Sequence, residues 1–175
     1  MAKPLTPRLA THRLDLVALK PDDAIEMVSV LADPALYEFI GNGPKSLGEL
    51  EGTYRRWAEG SPTAGETWHN WLIRLRDDGA AMGHMQATVM DDGAAAAVGW
   101  IIGTAFQHRG YAIEATRAVV AWLVAQGVDT ITANVHPGHV ASARVAAKAG
   151  LAPSEEVIDG EIVWRSAVRP ASVPR

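Results

Sequence analysis

The run Gln107-His108-Arg109-Gly110-Tyr111-Ala112 follows an apolar segment, Ala94 to Ile102, and leads directly into a helical pattern. A strand, a short glycine-bearing loop and a helix, in that order, can turn several backbone N–H groups toward one point. The helix start adds its unpaired donors and the positive end of its dipole. Together these make an anion site suited to a pyrophosphate. Gly110 has no Cβ and lets the backbone come close to a ligand; Ala112 does nearly the same at the next tight position. The plain alternative is a simple turn, because one glycine in such a loop is common. A second patterned element follows at a suitable distance: Val135-His136-Pro137-Gly138-His139-Val140-Ala141-Ser142, running on through Ala143-Arg144-Val145 to Lys148-Ala149-Gly150-Leu151.

The elements that must position these residues follow from periodicity. Thr11 to Leu19 alternates apolar and polar, as a strand does. Lys20-Pro21-Asp22-Asp23 starts a helix whose apolar face is Ile25, Val28, Leu31 and Ala32. Asp33-Pro34 breaks it and opens a short second piece through Leu36, Phe39 and Ile40. Ser46-Leu47-Gly48-Glu49 has capping-box spacing for a helix to about Glu59. Three strands then form a meander: Trp68 to Arg76, Met82 to Met90 and Ala94 to Ile102. Asp77-Asp78-Gly79 and Asp91-Asp92-Gly93 are their turns. Tyr111 to Gln126 is a long helix, closed by Gly127, with Ala115, Ala118, Val119, Trp122 and Leu123 on its inner face. Thr130 to Val135 is a strand and Ala141 to Ala149 a helix ended by Gly150. Leu151 onward and Glu161 to Val168 form a final pair around Asp159-Gly160. The order β-α-α-β-β-β-α-β-α-β-β is an α+β layer arrangement around one mixed sheet. It is one domain over residues 1–169, with 170–175 as a loose tail.

Composition agrees with a small enzyme. The chain has 175 residues, 48% hydrophobic and 21% charged, enough apolar material for one core. Sixteen Lys/Arg face twenty Asp/Glu, for a net charge of −4. With no basic block, nucleic acid is not an expected partner. No cysteine is present, which excludes disulfides, a thiol nucleophile and cysteine-ligated metal. No run of about 18 apolar residues suggests a membrane span, so a cytoplasmic location is expected. His136 and His139 have H-x-x-H spacing, but Pro137-Gly138 disfavours a regular helix and no third ligand stands nearby, so no metal is expected.

These motifs resemble those of the GCN5-related N-acetyltransferases (GNAT). Their pyrophosphate loop reads Q/R-x-x-G-x-G/A, which Gln107 to Ala112 fits at every position. Val135 to Leu151 resembles the V-x-P-x-N-x-x-S-x-R-V-x-x-K-x-G stretch of the branch that holds the ribosomal-protein alanine acetyltransferases. Arg8-Leu9, Thr11-His12-Arg13-Leu14 and Lys20 to Ala24 resemble that branch's opening strand and first helix cap. One position departs: the family's asparagine is His139 here. The resemblance implies a mostly antiparallel sheet whose parallel fourth and fifth strands, here Ala94–Ile102 and Thr130–Val135, splay apart. About four helices flank it. It also implies acetyl-CoA as co-substrate, with its pantetheine arm between those strands beside Trp100, Ile101 and Ile102. Its pyrophosphate would lie on the loop Gln107, His108, Arg109, Gly110, Tyr111, Ala112.

The implied reaction moves an acetyl group to a primary amine by direct attack in a ternary complex. The carbonyl oxygen gains charge and needs a donor, for which a backbone N–H near Ile101 or Ile102 is the candidate. Ser142 matches the family position near the thiol sulfur and is the candidate proton donor; as a helix-start serine it could equally satisfy backbone donors. His139 has three readings: a cofactor contact, a surface residue, or a base. Glu156 and Glu161 are candidate bases in the final hairpin, against a solvated turn; a water chain would replace them. Glu114, in the first turn of the long helix, reads as a dipole or capping partner. The family's tyrosine acid has no match after Ser142, where Val145 and Ala146 stand. Trp122 fits the long helix's core face, while Trp68 and Trp71 are candidates for an acceptor pocket or for core packing. Tyr37, Phe39 and Tyr54 lie on the first two helices, which shape the acceptor mouth in the family. The acceptor is a small molecule or a protein N-terminus. A homodimer is compatible with the apolar content. The competing reading is a non-catalytic acyl-CoA-binding or partner-binding module.

Overall fold

The computed structural model describes residues 5–166. The expected tail at 170–175, and the last residues of the final strand at 167 and 168, lie outside them. Eight strands form one sheet: β1 (Leu9–Ala10), β2 (Leu14–Ala18), β3 (Thr67–Leu75), β4 (Ala81–Met90), β5 (Ala95–Ile102), β6 (Thr130–Val135), β7 (Leu151–Ile158) and β8 (Glu161–Ser166). They lie in the order β1-β2-β3-β4-β5-β6-β8-β7. All neighbours are antiparallel except β5 and β6. Four α-helices flank the sheet: α1 (Ala24–Val30), α2 (Leu47–Glu59), α3 (Tyr111–Ala125) and α4 (Val140–Lys148). The α+β class and the parallel fourth and fifth strands of the sequence reading are present, the latter as β5 and β6.

The expected first strand is shorter than its alternation suggests. The Thr11 hydroxyl accepts from Leu14 N at 2.9 Å, and Thr11 N donates to Leu14 O at 2.9 Å. This closes a turn between β1 and β2, so Thr11 to Arg13 leave the ladder. The first helix is also rotated from its expected face. It turns Ala24, Met27 and Leu31 inward and leaves Ile25 64% exposed. Small Ala24 lets the helix settle closely on the sheet, and its tight 3-10 entry over Pro21–Asp23 sets the phase. Asp33 caps the 3-10 turn Pro34–Tyr37 by accepting from Ala35 N, and Ser46 and Glu49 form the expected capping box of α2.

The core lies on both faces of the sheet. On one, Leu14, Leu16, Trp71, Ile73, Met85 and Val98 pack with Val119 and Leu123 of α3. On the other, Leu72 and Ala81 pack with Met27 of α1 and Leu50 and Tyr54 of α2. Burial of this many aliphatic side chains, each contributing about 1.5–3 kcal/mol, fixes the sheet from which the site is suspended.

Candidate active site

The parallel strands touch only at one end. Ala95, Ala96 and Ala97 of β5 face Thr130, Ile131 and Thr132 of β6. From Thr132 onward β6 pairs with β8, reaching Val135 opposite Ile162. Beyond Ala97, β5 continues to Ile102 paired with β4 on its other side. A wedge therefore opens between the strands. The sheet face is also open there, because a Cβ added at Gly99 would meet nothing within 4 Å.

A cavity of about 560 Å³ lies at the wedge. Trp100, Ile101 and Ile102 of β5 form one wall. A second is made by Phe106, Gln107, His108 and Gly110 with Tyr111, Ala112 and Ile113 at the start of α3. His139 and the first turns of α4, including Ser142 and Arg144, make the third. The fourth is Ala35, Leu36, Glu38, Phe39 and Ile40. Every cofactor residue expected from the sequence lines this space except Arg109, whose carbonyl is held from behind by Arg13. Phe106, Glu38 and Arg144 join the lining without a sequence signal that points there: Glu38 has no periodic or motif signal, and Arg144 is visible only as a motif position.

The second wall is shaped by backbone. Gln107 Nε2 donates to Ile102 O at 3.0 Å and folds the loop back onto the strand end. His108 and Gly110 are left-handed, at φ +62 and +79. Gly110 caps α3 with no side-chain acceptor for its first amides. Tyr111, Ala112 and Ile113, which carry those amides, line the cavity, so the dipole end of a fifteen-residue helix lies at its wall. Glu114 lies on the outer side of the loop. Its carboxylate accepts from Thr11 Oγ1, Arg13 N and Arg13 Nε at 2.6, 2.9 and 2.7 Å. Burial works to raise its pKa, but these hydrogen bonds and the Arg13 charge outweigh it and lower it.

His139 Nδ1 accepts from Ser142 N at 3.4 Å, capping α4. A neutral ring accepting at Nδ1 carries its proton on Nε2, which is then a donor. Burial, then the neighbouring His136, lower the His139 pKa, against a smaller opposing effect of Glu38. A base role at Nε2 would require the other tautomer and loss of this cap. The His139 ring stacks on Phe39 at 4.8 Å, and His136 lies 5.1 Å from the same ring. His136 Nδ1 is occupied by Gly138 N. Ser142 is half-buried in the lining.

The carboxylates of the final hairpin stand apart from the cavity. Glu156 is exposed on β7 and paired with Arg165, and Glu161 begins β8 beside the turn; neither lines the cavity. Trp71 is fully buried, donates from Nε1 to Pro7 O at 2.7 Å, and meets Trp122 edge-on at 5.4 Å. It is core, and Trp68 does not line the cavity either. Of the three aromatics expected at the mouth, Phe39 lines it. Tyr37 ties its hydroxyl to Leu31 O. Tyr54 is buried against His84, with its hydroxyl 3.3 Å from His84 Nδ1. Burial pushes His84 down to about 4, so it is neutral near pH 7. It faces Ile101 across the β4–β5 ladder. Nothing in the local pattern marks this histidine, which occupies an ordinary polar strand position.

Comparison with known proteins fits this geometry. An acetyltransferase from Agrobacterium tumefaciens is 24% identical over 95% of this chain and 98% of its own, with a TM-score of 0.73. RimL, a ribosomal L7/L12 alpha-N-protein acetyltransferase solved with coenzyme A, is 14% identical over 93% of this chain and 98% of its own, with a TM-score of 0.75. AAC(6')-Ib, solved with ribostamycin and coenzyme A, is 17% identical over 87% of this chain and 92% of its own, with a TM-score of 0.72. At these identities the likeness speaks for the fold. No curated protein matches the sequence. The acetyltransferase (GNAT) domain model matches residues 13–152, and the chain belongs to that family.

Proposed function

We propose that this protein is an acetyl-CoA-dependent N-acetyltransferase acting on a primary amine. The observation that carries the reading is the joining, in one cavity, of a strand wedge and a left-handed glycine loop at a helix N-terminus. The loop and α3 amides suit the pyrophosphate of acetyl-CoA. The unpaired side of β5 from Gly99 to Ile102 suits an extended arm that pairs with strand backbone. To His139, which lines the cavity and whose Nδ1 accepts from Ser142 N, we assign donation from Nε2–H to that arm, the role the family gives to asparagine.

In the reaction a neutral amine attacks the thioester carbonyl. The C–N bond forms, the C–S bond breaks, and the amine proton leaves to solvent through water. A β5 amide at Ile101 or Ile102 would stabilise the carbonyl oxygen as charge develops. Ser142 Oγ is the donor we assign to the departing thiolate. We give Glu156 and Glu161 no role as bases, since neither lines the cavity. The acceptor enters past Leu36, Phe39 and Ile40. Related folds include enzymes solved with ribostamycin or named for a ribosomal protein. Both a small amine and a protein N-terminus therefore belong in the acceptor screen.

Calorimetric titration with acetyl-CoA, coenzyme A and ATP tests the cofactor half. Micromolar binding of the first two, and none of ATP, is expected. A folded sample that binds neither coenzyme form would sink the reading. An amine screen then tests the chemistry. Ser142→Ala should lower kcat about tenfold, the scale of one hydrogen bond to a developing thiolate, with unchanged acetyl-CoA affinity. Binding with no turnover on any amine would favour the alternative, a non-catalytic acyl-CoA-binding module, for which His139 and the missing tyrosine after Ser142 speak.

A further inference from the structure

The inference concerns Arg13 and rests on the acetyl-CoA reading above. Arg13 lies in the turn between β1 and β2, far in sequence from the loop. Its Nη1 donates to the Arg109 carbonyl at 2.9 Å. Its guanidinium lies 4.5 Å over the Tyr111 ring. Its Nε and Nη2 reach the same Glu114 oxygen at 2.7 and 2.6 Å. Glu114 also takes the Arg13 amide and the Thr11 hydroxyl. The guanidinium is thus fixed on one side by a carboxylate and presents its third nitrogen, Nη1, to a single carbonyl.

A trans peptide carries its C=O and N–H on opposite sides. Holding the Arg109 oxygen outward, toward Arg13, directs the Gly110 N–H the other way. Without that hold the left-handed glycine leaves the peptide free to flip, since Gly adopts either sign of φ with little cost. A flipped peptide would aim a carbonyl oxygen at an anion. We propose that Arg13, held by Glu114, is a positioning residue that sets the Arg109–Gly110 peptide so that its N–H faces the pyrophosphate of acetyl-CoA. It acts from behind the loop: Gly110 lines the cavity on one side and, on the other, a shallow surface hollow that Arg13 and Glu114 also line.

The test compares acetyl-CoA with S-acetylpantetheine, which lacks the pyrophosphate, on wild-type protein and on Arg13→Ala, Arg13→Lys and Glu114→Gln. Arg13→Ala should raise KM for acetyl-CoA about tenfold, the scale of one charge-assisted hydrogen bond. It should leave kcat and the KM for S-acetylpantetheine within about twofold. Arg13→Lys keeps the charge but not the fork, so it should resemble Arg13→Ala; wild-type behaviour would mean that charge alone matters and would overturn the positioning role. Equal losses for both thioesters, or an unchanged KM for acetyl-CoA, would also overturn it. Glu114→Gln is the milder variant should Arg13→Ala unfold, and it should give a smaller rise in KM of the same selectivity. The Gly110 amide signal in NMR needs no ligand: it should shift and exchange faster in Arg13→Ala. If wild-type protein bound no acetyl-CoA the function reading would fail, while an unperturbed Gly110 amide in the variant would overturn the clamp itself.

Discussion

The two ends of the cavity are built from different material. At the α3 end the working groups are backbone amides, set by left-handed residues at 108 and 110 and by a peptide held from outside. At the opposite end the wall is the 3-10 turn Pro34–Tyr37 and the residues after it, where the side chains of Leu36, Phe39 and Ile40 face the space. A backbone site tolerates few residue types, because conformation selects glycine. A side-chain wall tolerates many, because volume and polarity can be met in several ways. In the proposed enzyme the first end would hold the part of the reaction that never varies, and the second the part that defines the acceptor.

The largest effect should come from breaking the backbone end. In Gly110→Glu, an L side chain at φ +79 costs about 1–2 kcal/mol. A carboxylate beside a bound pyrophosphate adds a comparable repulsion. Affinity for acetyl-CoA should fall about a hundredfold, while the unfolding midpoint should fall only by the roughly 2–8 °C that this backbone strain represents, since the exposed side chain disturbs no packing. Titration calorimetry and thermal unfolding read the two quantities separately. Retained affinity would mean that the loop is a turn and that the two ends do not differ in kind.

The next effect should come from the side-chain end. Phe39→Ala removes the ring on which His139 and His136 rest. Lost apolar contact of about 1–2 kcal/mol would raise the KM for the amine about tenfold. Affinity for acetyl-CoA should stay within about twofold. Equal damage to both substrates would erase the division between the ends.

The same division explains what could be read from the sequence. The Gln107–Ala112 loop was legible because glycine spacing records backbone conformation directly. The wedge was legible only through the family resemblance: nothing in Ala94 to Ile102 says that pairing with the next parallel strand stops after Ala97. Residues whose role depends on long-range packing left no local trace. Arg13 and Glu114 are a hundred positions apart, and their pairing follows from where the β1–β2 turn meets α3. The spacing of Ile25 suits the core, yet the helix phase puts Ala24 and Met27 there instead. Trp71 reads as core or pocket because a strand tryptophan suits either face; register decides, and it puts Trp71 in the core.

His139 sits between the two ends, and its substitution should produce the smallest change. Asparagine, the family residue, caps a helix as well as any side chain and can also donate to the pantetheine arm. His139→Asn should therefore change acetyl-CoA affinity at pH 7.5 by no more than about threefold. The pH dependence should distinguish the two proteins. The His139 pKa is lowered in the fold, so the neutral ring is the native form. The cap at Nδ1 is fully present above the ordinary histidine pKa of about 6.5 and weakens as pH falls toward the lower folded value. Protonation there would remove the acceptor for Ser142 N and shift the start of α4, which lines the cavity. Affinity of the wild-type protein should decline only as pH falls through the lowered folded value, below the ordinary histidine range, and His139→Asn should lose that part of the decline. Identical pH profiles for the two proteins would place His139 outside the binding site and leave the α4 wall to Ser142 and its neighbours.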